Sequence, residues 1–168
     1  MRFVLLRRGG RYFRVVEPDW IDPLDGSFAR DRGGRWNARG SFAVVYLDRT
    51  IAAAAAYVRH KHRGKPWQVE HLDPGPDLVE TDVPEGDFVD IVTGAGIGAA
   101  GLPEIYPDGA DWAMCAPIGQ QAFDAGHPGI ACRSASWSAP AGAEELAWFQ
   151  RDGANLPLVA RRAFEDWF

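Results

Sequence analysis

Apolar and polar positions along the 168 residues change period often, so the elements they predict are short. Arg11 to Val16 alternates weakly and carries Tyr12, Phe13, Val15 and Val16, a strand pattern. Asp22 to Gly40 holds one Pro, four Gly and mixed charges, and predicts an irregular loop. The unbroken apolar run Ala43 to Leu47 predicts a buried strand. Asp48 or Thr50 can cap a helix running to about Arg63, with Ile51, Ala55 and Val58 on one face and a basic end that suits the helix dipole. Strands follow at Gln68 to Leu72, Leu78 to Thr81 and Phe88 to Val92. A second helix is predicted over Asp111 to Ala125, where Pro117 demands a late start or a kink. Short strands at Gly129 to Cys132, Glu145 to Phe149 and Pro157 to Ala163 close the chain. Many strands with two interspersed helices favour an α+β fold over a doubly wound sheet.

Composition narrows the class. At 18.4 kDa, with 46% hydrophobic and 24% charged residues, the expectation is one soluble globular domain over residues 1–168. Seven Trp, nine Phe and four Tyr provide anchors for a core. No apolar run reaches the roughly 18 residues of a membrane span, and Met1 to Arg8 lacks a cleavage-site pattern. Cys115 and Cys132 form neither a disulfide framework nor a metal spacing, so the expected compartment is the cytoplasm.

Charge is divided unevenly. The chain carries −5 in total, but +7 through Arg63 and −12 beyond it. A basic first third suggests an anionic ligand there, and the acidic remainder argues against wrapping nucleic acid. Sixteen of the eighteen bases are Arg, whose planar fork suits phosphate oxygens. A codon bias explains that count but not its clustering.

Four segments carry candidate chemistry. Arg14 inside an apolar strand is either paired to a buried carboxylate or aimed into a ligand pocket. In Gly33-Gly34-Arg35-Trp36-Asn37, the glycines let backbone approach a ligand, Arg35 can grip an anion and Trp36 offers a flat surface. Asn37 orients a ribose hydroxyl or holds the loop, and a plain turn with an exposed Arg is the alternative. Tyr46 ends the strand Ala43 to Leu47, as a core aromatic or a ligand contact, and Tyr57 lies on the next helix. Ser134, after Gly129 to Cys132, is a phosphate or ribose ligand, a helix cap or an ordinary turn residue.

In this order the segments resemble the RES domain, over about Tyr12 to Phe149. The most specific pieces are Gly-Gly-Arg-Trp-Asn-x-x-Gly before a Tyr-Leu strand and a helix, and Gly-Ile-x-x-x-Ser near the end. Ala116 to Gly129 is similar to the family's late helix and its exit. The resemblance implies an ADP-ribosyltransferase-like mixed sheet with flanking helices, and a toxin of a bacterial toxin–antitoxin pair. It implies NAD as substrate, cleaved at the nicotinamide–ribose bond by phosphate or water, with no metal. Arg14 and Arg35 match positions for the dinucleotide phosphates or the attacking phosphate, Tyr46 for a ribose or nicotinamide contact, and Ser134 for a hydrogen bond near the reacting ribose. Trp36 and Asn37 fall in the same binding motif. The implied partner is an antitoxin of Xre type, with self-association left open and neither nucleic acid nor membrane bound directly. Transfer of ADP-ribose to a macromolecule, or nucleotide or partner binding without turnover, are the other readings.

One position departs from the family. Its Glu, on the helix after the Tyr-Leu strand, is matched by Tyr57. A neutral phenol offers no charge to an oxocarbenium-like ribose, a loss on the order of 10²–10³ in rate. Either another carboxylate substitutes, with Glu70 and Glu80 on nearby candidate strands, or the chain is a slow enzyme, a divergent transferase or a binder. His60 and His62 point to different faces of a helix and make a poor metal pair, and His71 and His127 have no partner pattern in the sequence. Trp112, Trp137, Trp148 and Trp167 are expected in core and interface, along with the C-terminal Phe164 and Phe168. Glu144 and Glu145 alternate faces in a strand and so form no dyad with each other.

Overall fold

The computed structural model describes residues 2–65 and 74–167. The strand expected at Gln68 to Leu72, and with it Glu70, His71 and the terminal Phe168, lie outside the described residues. The elements are β1 (Leu5–Val16), α1 (Ser27–Arg32), β2 (Ala43–Asp48), α2 (Ile51–Lys61), β3 (Asp77–Ile91), α3 (Gly94–Ala99), α4 (Trp112–Asp124), β4 (Gly129–Arg133), β5 (Glu144–Gln150) and β6 (Leu158–Ala163). The fold is the expected α+β mixture. Six strands form one sheet in the order β1-β2-β5-β4-β3-β6, and β1 also pairs with β3. Every pairing is antiparallel except β3 with β4.

The long β3 organises this sheet. The sequence predicts two strands here, Leu78 to Thr81 and Phe88 to Val92. The chain instead runs through as one strand of 15 residues. The register against β1 shifts between Arg8 and Gly10, opposite Pro84, so the proline falls at a bulge where no ladder donor is needed. One edge of β3 follows β1 throughout, while the other carries β6 on its first half and β4 on its last residues.

Strands β2, β4 and β5 are buried on both faces, which is why they read as unbroken apolar runs. On one face Val44, Ile130, Cys132, Ala147 and Phe149 pack under α3 and α4. On the other, Val45, Leu47, Ala131, Leu146 and Trp148 meet Tyr12, Val79 and Phe88 of β1 and β3. The alanine-rich α2 lies over Leu78, Phe13 and Val15, with Phe164 and Trp167 closing that cluster. Those two C-terminal aromatics therefore serve packing. Thr50 caps α2, accepting from the Ala53 amide. Two short helices go beyond the sequence pattern: α1 interrupts the expected loop, and α3 lies in the Gly94 to Gly101 stretch. Pro117 stands inside α4, whose Asp111 cap starts the helix early, and costs it one ladder bond.

Candidate active site

The segment Gly33 to Asn37 owes its shape to two side chains of its own neighbourhood. Asn37 Nδ2 donates to the Ala29 and Phe42 carbonyls at 2.7 and 3.4 Å, and the Tyr46 hydroxyl donates to Asn37 Oδ1 at 2.8 Å. The same hydroxyl accepts from the Trp36 amide at 2.9 Å. The Trp36 ring is buried in the core beneath α4. Trp36 and Asn37, expected at the ligand, are therefore spent on the loop: one ring is fully enclosed, and the amide's bonds run to backbone and Tyr46. Gly34 is required for the same reason. A Cβ there would stand 2.5 Å from the Tyr46 oxygen and 2.8 Å from Asn37 Oδ1. Close approach at this glycine is by Tyr46, and its consequence is to present Arg35 between two fixed residues.

Arg35 lines a cavity of about 490 Å³ together with Arg14, Tyr46 and Tyr57. Four of the residues singled out by sequence thus meet in one place. The half-buried Arg35 guanidinium lies 6.0 Å from the centre of the Tyr106 ring. Arg14 Nη1 donates to the Pro23 and Asp25 carbonyls at 2.9 and 3.3 Å, beside the Trp20 ring. Neither arginine has a carboxylate within ion-pair distance among the described residues. Burial lowers the Arg14 guanidinium to about 10, which leaves it charged at neutral pH. The Tyr46 hydroxyl is pushed well above its ordinary value by burial, so it stays a neutral donor. Tyr57, 42% exposed, projects from α2 without a hydrogen bond from its hydroxyl to another described residue.

Ser134 is buried behind the cavity wall rather than lining it. Its hydroxyl donates to Glu145 Oε1 at 2.8 Å, and the Ala135 amide donates to the same oxygen at 3.1 Å. Glu145 itself lines the cavity. So does Asp48, directly opposite Glu145 in the β2–β5 register. Burial, and next the Glu145 charge, raise the Asp48 carboxyl well above the usual carboxylate range. Sequence reasoning misses both acids, treating Asp48 as a helix cap and Glu145 only against Glu144. Their signal is an acid ending one apolar strand and an acid opening another, visible only once the register is known.

The expected substitute Glu80 is elsewhere. It pairs with Arg11 at 2.6 Å on the β1–β3 ladder. Glu144 alternates with Glu145 as expected and is held by Arg8 and Arg49, each at 2.8 Å. His60 does reach the cavity, and its Nδ1 accepts from the Trp137 amide at 3.2 Å. Lys61 lines the cavity beside it, ion-paired with Glu17 at 2.6 Å. Trp112, 56% exposed, stands at the cavity and not in the core, unlike the buried Trp148 and Trp167. Among the described residues no group of three His, Cys, Asp or Glu side chains could hold a metal ion. No helix among them is long and apolar enough to cross a membrane.

Comparison with solved structures finds this fold in a chain of the crystal structure of the M. tuberculosis MbcT–MbcA toxin–antitoxin complex. The TM-score is 0.77 at 24% identity, covering 95% of this chain and 86% of that one. Comparison with the curated proteins finds no match. The sequence pattern of the RES domain matches residues 11–164, which include every cavity residue described above. The chain belongs to the RES domain family.

Proposed function

We propose that the chain is the toxin of a toxin–antitoxin pair and that it cleaves NAD at the nicotinamide–ribose bond, with phosphate or water as acceptor. One observation carries this reading. The same cavity holds two arginines without carboxylate partners and, on the sheet, a carboxylate pair. NAD has the complementary distribution: an anionic diphosphate joined through ribose to a cationic nicotinamide ring. Arg14 and Arg35 take the diphosphate, or the attacking phosphate, through charge-assisted hydrogen bonds. Tyr46 holds the loop that aims Arg35 and offers its ring to the ribose or nicotinamide. Tyr57 flanks the same substrate without contributing charge. Fixing both ends of the dinucleotide positions the scissile bond, the main service such a site performs before any charge develops.

The partner follows from the chemistry. An unchecked NAD-cleaving enzyme poisons its host, so the cavity needs an occluding antitoxin, for which an Xre-type protein is the family expectation. The similar M. tuberculosis structure is that of a toxin–antitoxin complex, which supports an antitoxin partner without specifying its type. The test is direct: incubate the purified chain with NAD, with and without inorganic phosphate, and quantify nicotinamide. Release, with ADP-ribose or its phosphate ester as co-product, supports the reading. Absence of nicotinamide with intact NAD bound would leave a nucleotide-binding protein instead.

A further inference from the structure

By the family resemblance Tyr57 stands where a helix carboxylate is expected, and a nearby strand pair places two acids at the same cavity. Asp48 and Glu145 face each other across β2 and β5. Directly opposed antiparallel residues have Cβ atoms about 4.5–5.5 Å apart, close enough for two carboxyl groups to serve one ligand atom. Their environments differ. Glu145 Oε1 receives the Ser134 hydroxyl and the Ala135 amide, which orients the carboxylate, while Oε2 has no partner among the described residues. Asp48 is only 7% exposed, lines the cavity, and makes no hydrogen bond or ion pair with another described residue. A carboxyl so buried and so unpartnered is costly to keep unless a ligand uses it.

We propose that Glu145, oriented by Ser134 and backed by Asp48, is the catalytic carboxylate that faces the reacting ribose and supplies the negative charge Tyr57 lacks. The inference rests on the NAD-cleavage reading. In the reaction the C1′–N bond breaks with both electrons leaving on the nicotinamide nitrogen, so nicotinamide departs neutral and positive charge grows on C1′ and the ring oxygen. Glu145 stabilises that charge electrostatically. An oxygen of water or phosphate then bonds to C1′. When water attacks, its proton passes to a cavity carboxylate and on to solvent. Asp48, buried directly opposite Glu145 and without a partner among the described residues, keeps its side-chain oxygens unspent for the substrate. Ser134 acts as a positioning residue, through Glu145.

Steady-state nicotinamide release and calorimetry with ADP-ribose test this on wild type, Glu145→Gln, Ser134→Ala and Glu80→Gln. Glu145→Gln is expected to lower kcat about 10²–10³-fold while ADP-ribose affinity stays within about threefold. Ser134→Ala should lower kcat about tenfold with KM nearly unchanged, because it misplaces the charge without touching the ligand. Glu80→Gln, on the Arg11 pair, should behave as wild type. If Glu145→Gln fails to fold, the Ser134→Ala split of kcat from KM decides alone. An active wild type whose kcat survives these substitutions within about threefold overturns the assignment while sparing the NAD reading. A wild type that binds ADP-ribose but releases no nicotinamide overturns both.

Discussion

Arg14 and Arg35 both line the cavity, but the fold consumes them differently. Two backbone carbonyls already take Arg14 Nη1, whereas Arg35 is held by packing against Tyr106. Arg35 therefore keeps more of its donor capacity for an anion. Arg35→Ala should weaken ADP-ribose binding by about one to two decades, the value of one charge-assisted contact of roughly 1.5–3 kcal/mol. Arg35→Lys should fall between, keeping the charge but losing the fork. Calorimetry reads both, and equal affinities would remove Arg35 from the site. Asp48 carries the opposite kind of strain. Its folded carboxyl is raised above the unfolded value of 3.8 by burial and by Glu145, so the folded state holds a proton the unfolded chain has released. That contribution to stability is complete below about pH 4 and declines as pH rises through the raised value. Asp48→Asn removes the titration. Its melting temperature should match wild type near pH 4 and exceed it increasingly as pH rises above that, at roughly 2–4 °C per kcal/mol for a chain this size. A gap constant with pH would show that Asp48 ionises freely in the native state.

At the scale of elements, the site depends on how closely α4 seats on the Arg35 loop. Gly119 of α4 faces the Trp36 carbonyl, and a Cβ there would overlap that oxygen. Backbone, unlike a flexible side chain, cannot step aside. Gly119→Ala should cost about 1–3 kcal/mol as overpacking and shift the loop, lowering both melting temperature and ADP-ribose affinity. Gly98 of α3 is the contrast, with nothing within 4 Å of an added Cβ. Gly98→Ala should stabilise by about 0.4–1 kcal/mol through reduced unfolded-state freedom, with binding unchanged. Thermal melts of the two variants side by side separate crowding from helix propensity. Strand pairing sets the other half of the site. A one-residue slip of β5 against β2 would turn Glu145 to the opposite face and bring Glu144 toward Asp48. The Arg8 and Arg49 clamps on Glu144 oppose such a slip.

For the whole molecule, the uneven charge found along the chain becomes a spatial arrangement. Bases from β1, the Arg35 loop and α2 surround a cavity whose carboxylates come from β2 and β5. Exposed aromatics, Trp112 and the half-exposed Phe28, stand at the same cavity, where an occluding partner would cover them. A tagged chain recovered from its native host should therefore carry a protein partner, and adding that partner to the purified chain should suppress nicotinamide release. Recovery of the chain alone would count against the antitoxin reading.

Local rules sufficed for β2, α2, α4, β4 and β5, because unbroken apolar runs and capped helical stretches state their burial residue by residue. They also singled out Arg14, Arg35 and Tyr46 as pocket candidates beside plain structural alternatives, and the family resemblance added Tyr57. They failed where neighbours far along the chain decide. Leu78 to Thr81 and Phe88 to Val92 read as separate strands until β1 runs along both, with a bulge opposite Pro84. Trp36 and Asn37 read as ligand contacts until Tyr46 and α4 claim them. Asp48 and Glu145 lie 97 positions apart, and nothing in either segment records that antiparallel register makes them a pair. The chain alone determined which residues could carry charge, stack or turn. Which of them share one cavity was decided by strand register and helix seating, since both are set by packing over the whole fold.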